Sequence, residues 1–138
     1  MSNLRTYVRA DNVETQVFDW GKLQWLSEPK VTGAKEMVTG IVTLEPGKGH
    51  AKHNHPGCSE VLFVTHGQGE QVVFTDSGEL KKTVTVGDLI YLQPGQFHST
   101  LNTGKENMVL VAVYQFSGPE IAMRADPGCT VLPPKSTD

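Results

Sequence analysis

The stretch GKGHAKHNHPGCSEVLFVTHG, residues 47–67, decides how this chain is read. His53 and His55 are one residue apart. Alternate side chains of an extended strand point to the same face, so the two imidazoles can meet at one point. Pro56 and Gly57 signal a turn, and Glu60 opens the β-rich run Val61 to Thr65. The chain therefore reverses after His55 and returns a carboxylate beside the two histidines. Two nitrogens and one oxygen converging from adjacent strands predict a site for a divalent transition metal.

A second stretch, GDLIYLQPGQFHSTLN at residues 87–102, runs from a turn through an apolar strand to another turn. It ends near a lone His98, the candidate fourth ligand. With both stretches in view, the chain resembles the cupin superfamily. The first cupin motif, G-x5-H-x-H-x4-E-x6-G, is met at Gly47, His53, His55, Glu60 and Gly67. The second, G-x5-P-x-G-x2-H-x3-N, is met at Gly87, Gly95, His98 and Asn102, with Gln93 where proline is usual and Pro94 displaced by one. That departure concerns the turn before Gly95 and not the ligand. The resemblance spans residues 36–116 and implies an all-β fold, a double-stranded β-helix or jelly-roll barrel with the metal inside.

The whole chain is consistent with that class. Its 138 residues are read as a single domain, able to bury roughly two-thirds of its surface on folding. Twelve Lys and Arg against fifteen Asp and Glu give a net charge of −3. With no basic cluster, this balance argues against nucleic acid or an anionic membrane as partner. No apolar run approaches the roughly 18 residues of a membrane span, and Met1 to Arg5 lack a hydrophobic signal core. The expectation is a cytoplasmic protein. Its two cysteines, Cys58 and Cys129, are read as reduced thiols, and Cys58 as a small residue packed in the turn rather than a fifth ligand.

Short β-rich runs recur between turns. They are Glu36–Leu44, Glu60–Thr65, Glu70–Thr75, Glu79–Val86, Leu89–Leu92, Phe97–Asn102 and Asn107–Phe116, with Asp76 to Gly78 as a hairpin turn. Many short antiparallel strands predict a barrel or sandwich that protects its edges. Residues 1–35 carry Val13, Val17, Phe18, Trp20, Leu23, Trp25 and Leu26, too much apolar surface for a disordered arm. They are expected to form strands that cover the barrel or pair with a second subunit, which predicts a homodimer. The tail, residues 117–138, holds Pro119, Pro127, Pro133 and Pro134 and is expected to be extended and irregular.

Roles beyond the metal are read from parity and position. Leu62 and Val64 share parity with Glu60 and point inward. On neighbouring strands Gln71 or Val73, Tyr91 or Leu92, and Tyr114 or Gln115 are candidates to line the interior. His50 stands three residues before His53, an odd offset that puts it on the opposite face of a continuous strand, yet within reach of the barrel mouth. His66 lies about 20 Å along the strand from Glu60 and belongs to the far end. Tyr91 and His50 are the candidate proton-transfer residues.

Three imidazoles and one carboxylate leave open positions on a divalent ion, which can then polarise a carbonyl or activate water or dioxygen. Mn, Fe, Co, Ni, Cu and Zn all suit the donors. The resemblance implies an enzyme acting on a small oxygen-rich molecule, a sugar or organic acid, by isomerisation or epimerisation. Dioxygenase and decarboxylase or lyase chemistry are the alternatives within enzymes. A metal-dependent module that binds a small ligand without turnover is the alternative outside them.

Overall fold

The alternation of apolar side chains along the chain builds two antiparallel sheets. The computed structural model describes residues 3–136. In chain order its elements are β1 (Thr15–Phe18), β2 (Gly21–Ser27), α1 (Pro29–Thr32), β3 (Glu36–Leu44), β4 (Gly49–His53), β5 (Glu60–His66), β6 (Gln68–Thr75), β7 (Gly78–Thr85), β8 (Leu89–Leu92), β9 (His98–Asn102), β10 (Met108–Phe116), α2 (Pro119–Ala125) and β11 (Thr130–Leu132). The larger sheet has the order β11-β1-β2-β3-β10-β5-β8, and the smaller one β4-β9-β6-β7. This is the expected all-β jelly roll. The two sheets share no hydrogen-bonded ladder, so β7 and β8 are both sheet edges.

Period-two patterning sets the inward faces. Val38, Val42 and Leu44 of β3, Leu62 and Val64 of β5, and Leu110, Ala112 and Tyr114 of β10 are buried. Leu62 and Val64 thus lie where their parity with Glu60 put them. In register, Ala112 stands between Leu62 on one side and Gly40 on the other. A Cβ on Gly40 would come within 3.0 Å of the Trp25 ring, so its absence lets the indole settle across the sheet. The β5–β6 turn depends on Gly67 in a second way. It adopts φ of +75°, and a Cβ there would press to 2.7 Å from the Asn107 carbonyl oxygen.

The flanks agree with the sequence reading at one end and depart from it at the other. Residues before 36 form strands as expected, and β1 and β2 extend the larger sheet beyond β3. Phe18, Leu23 and Trp25 are buried there within the one chain, so they offer no uncovered surface for a second subunit. The tail is not irregular throughout. Pro119 starts a seven-residue helix, and β11 then pairs with β1. Proline at the first helical position is favourable, because its ring presets φ and its missing N–H would be unpaired there anyway. Glu120 caps this helix, accepting hydrogen bonds from the Gly118 N–H and the Ser117 hydroxyl. Arg124 then grips the buried Glu28 through both carboxylate oxygens, at 2.8 and 3.0 Å, and reaches Glu14 at 3.1 Å. Burial pushes the Glu28 carboxyl up from its ordinary value, against the pull of Arg124. No described helix is long and apolar enough to cross a membrane.

Candidate metal centre

Facing strands of the two sheets bring the histidines together. His53 on β4 is the register partner of His98 on β9, and Glu60 enters from β5 in the opposite sheet. His55 lies just past the end of β4, in the loop before Pro56, rather than on the strand itself. Two hydrogen bonds, one of them from a side chain, tie this loop to the turn that carries His98. The Gly95 N–H donates to the His55 carbonyl at 3.0 Å, and Asn54 Nδ2 donates to the Gly95 carbonyl at 3.1 Å. The departure at position 93 has a local reason. The Gln93 N–H donates to Gln96 Oε1 at 3.1 Å, a bond that proline cannot make. Asn102 is structural: its Nδ2 donates to the Leu44 and Glu106 carbonyls at 2.9 and 2.8 Å, and its Oδ1 accepts the Gly104 N–H.

The ring nitrogens of His53, His55 and His98 converge to within 4.8 Å of one another. Glu60 Oε1 lies 3.2 Å from His98 Nε2 and 3.7 Å from His55 Nε2. His53 and His98 have the same tautomer for the same reason. Each gives its Nδ1–H to the carbonyl two residues back, Ala51 at 2.7 Å and Gln96 at 2.9 Å. Each therefore keeps a lone pair on Nε2. A backbone acceptor behind a ligating imidazole is the usual way its orientation is held.

Charge completes the picture. Burial, the largest effect, lowers the proton affinity of His53 and brings His55 down to about 4. Burial alone would raise the Glu60 carboxyl. The neighbouring His98 and His55 and the Tyr114 hydroxyl outweigh it and hold Glu60 below its ordinary value. At neutral pH the interior thus holds the Glu60 carboxylate beside the neutral rings of His53 and His55. Despite its short distance to His98, Glu60 Oε1 is buried with no hydrogen bond of acceptable geometry, and the same is true of His55 Nε2. A carboxylate oxygen and the lone pair on His98 Nε2 facing each other at 3.2 Å call for a cation. These donors fit a divalent transition metal, whose preference for imidazole and carboxylate they match.

The other sequence candidates separate. His50 does turn inward, against its odd offset. The β4–β9 register slips between His50 and His53, and this irregularity resets the parity. Its ring lies 5.5 Å from His53 and edge-on to Trp20 at 4.2 Å. Burial brings His50 down to about 4, and its Nε2 is buried without a partner. Tyr91 is a correction. It is 57% exposed, because Ile90 and Leu92 take the inward positions of β8. It therefore does not reach the cluster. From the offered pair Tyr114 and Gln115, Tyr114 is the interior residue. It is the register partner of Glu60, its ring is 5.0 Å from His55, and burial holds its hydroxyl well above the ordinary value. Thr100 was missed, although its even spacing from His98 marks it as inward. Cys58 is buried and its thiol donates to the Ser59 and Phe116 carbonyls, while both cysteines are free. His66 is exposed at the far end of β5. Beside the histidines remains a cavity of about 20 Å³, bounded by His50, His53, Glu60, His98, Thr100 and Tyr114 among others.

Comparison with known proteins agrees with this geometry. A germin-like protein 8-14 from Oryza sativa subsp. japonica is 36% identical over 84 residues, covering 59% of this chain and 35% of that protein. An oxalate-binding protein from Thermotoga maritima is 33% identical over 79 residues, covering 57% of this chain and 62% of that protein. The chain thus spans less than two-thirds of the length of either relative. A solved Thermotoga maritima structure, described as a predicted oxalate decarboxylase, superposes with a TM-score of 0.67 at 20% identity, over 80% of this chain and 99% of that one. At that identity the likeness speaks for the fold alone. The cupin-domain profile matches residues 40–114, from the centre of β3 to Tyr114. The chain belongs to the cupin family.

Proposed function

We propose that this cupin binds one divalent transition metal through His53, His55, Glu60 and His98 and acts there on a small organic acid, with decarboxylation or related lyase chemistry as the reaction. The observation that carries the reading is the convergence of three imidazoles beside the buried Glu60 carboxylate, whose Oε1 has no hydrogen-bond partner. The cavity beside them is small, about 20 Å³, which argues against a sugar-sized substrate. The names of the relatives, an oxalate-binding protein among them, support a two-carbon acid or one close to it.

A bound divalent ion would supply Lewis acidity and an anchor for two substrate oxygens. The chain's own groups do the rest. Three neutral imidazoles and one carboxylate leave a dipositive ion one positive charge, suited to a monoanion. Tyr114, a phenol held neutral by burial, fixes Glu60 through its hydroxyl. His50 presents Nε2 to the interior without a partner, so it can take or return a proton at that atom. Trp20 holds its ring in place from outside.

The test is to screen small carboxylic and hydroxy acids with metal-loaded protein, following carbon dioxide release, oxygen uptake and solvent-deuterium incorporation together. Carbon dioxide without oxygen uptake supports decarboxylation. Deuterium exchange without gas release identifies an isomerase or epimerase, and oxygen consumption a dioxygenase. Tight binding with no turnover identifies a binding module, a reading that the oxalate-binding relative also favours.

We also propose a homodimer in the cytoplasm, now on a different face. Ile41, Val111 and Phe63 form a continuous outward row across β3, β10 and β5. Light scattering at micromolar concentration should give twice the chain mass, and substitution of Phe63 by Glu should halve it. A parent protein at the mass of one chain would contradict this.

A further inference from the structure

The seam between the two sheet edges holds a second pocket. It measures about 280 Å³, lies between β7 and β8, and is bounded by Gln71, Val73, Lys82, Asp88 and Tyr91 among others. Gln71 is only 3% exposed, yet its Nε2 has no hydrogen-bond partner, because its Oε1 is taken by the Thr100 hydroxyl at 2.6 Å. Exchanging the amide O and N would only move the deficit to the other atom. A buried amide donor left without a partner in the protein is costly, so such a group is expected to meet a water or a ligand.

Register shows where this amide stands. His50 pairs with Thr100, Thr100 with Gln71, and Gln71 with Lys82. These four side chains share the inward face of the smaller sheet, one per strand. Steps of about 4.8 Å carry the row from the histidine cavity to the edge in roughly 14 Å. The parallel row, His53, His98, Val73 and Leu80, becomes apolar after the histidines. Polar groups therefore cross the sheet along one line only. Lys82 ends that line on an exposed edge and makes no ion pair with a described residue. The carboxylate of the pocket, Asp88, is engaged by the Thr85 N–H at 2.9 Å. An unpartnered amide donor within and a free ammonium at the rim select an anion with planar oxygens.

We propose that this pocket binds a small carboxylate, with Gln71 Nε2 and Lys82 Nζ as its donors and the hydroxyl of Tyr91 at its rim. The site feeds the histidine cavity past Thr100, and only this onward route rests on the function proposed above. Tyr91 thereby serves at the entrance rather than at the metal.

The experiment uses full-length, uniformly 15N-labelled protein titrated with sodium oxalate and, separately, sodium acetate at constant ionic strength, with sodium chloride as control. The Gln71 side-chain amide and the Thr100 backbone amide report occupancy. Saturable shifts with the carboxylates and none with chloride are expected. Lys82→Ala, an exposed change that leaves the core intact, should weaken the carboxylate about tenfold. The same shifts should persist in His98→Ala, which removes a proposed metal ligand. Shifts that chloride reproduces, or that Lys82→Ala leaves unchanged, overturn the proposal. Loss of binding in His98→Ala also overturns it, because the ligand then reports only the histidine cavity. Persistent binding in His98→Ala alongside a parent protein that takes up no metal would sustain the pocket and sink the metal-centred function.

Discussion

Two carbonyl oxygens, those of Ala51 and Gln96, do much to make the centre usable. By taking the Nδ1–H of His53 and His98 they fix which nitrogen faces inward. The ligand spacing was open to reading from the residues because strand parity and the turn at Pro56 involve neighbours only. His50 was read on the wrong face, since a register slip needs a partner strand to define it. Asn102 shows a different limit: its motif position is evident in the sequence, but its work is not. It satisfies the Leu44 and Glu106 carbonyls in the turn below the site, so Asn102→Ala should destabilise the protein by about 2 kcal/mol. Urea unfolding with an unchanged m-value checks this. An unchanged midpoint would mean that water replaces the amide at no cost.

At the level of elements, the core strands were legible because period-two patterning persists over β3, β5 and β10. The tail was not. A seven-residue helix makes fewer than two turns, too few to establish a hydrophobic repeat, and the contact that holds it joins Arg124 to Glu28, ninety-six residues apart. Glu28 is buried to 2% exposure, so removing its partner leaves an isolated charge. Arg124→Ala should therefore cost about 3 kcal/mol. Replacing Glu28 by Gln in that background should recover part of the loss. Denaturant melts of the single and double variants measure both effects, and simple additivity would show that the pair does not act as a unit. The β1–β2 hairpin was expected as a cover and is one, extending the larger sheet and carrying Trp20 to His50.

For the molecule as a whole, the fold gathers carboxylate and imidazole in one dry interior, and that ties stability to pH. The unfolded chain protonates its histidines near the ordinary 6.5, whereas burial holds His50 and His55 down to about 4 in the folded state. Protons thus favour unfolding over this interval. The metal-free protein should keep its full stability above about pH 6.5 and lose it steadily between 6.5 and 4. Thermal melts of chelator-treated protein across that range provide the check, and a flat profile would contradict the burial of these rings. The seam pocket was invisible beforehand, because it depends on how two separate sheets leave their edges unjoined. The metal remains the central claim, and elemental analysis tests it most directly. Protein grown with manganese, iron, cobalt, nickel, copper and zinc supplied together should carry close to one divalent ion per chain, and His53→Ala and His98→Ala should each lose most of it. Full metal content in either variant, or a parent protein that takes up none, would contradict the account.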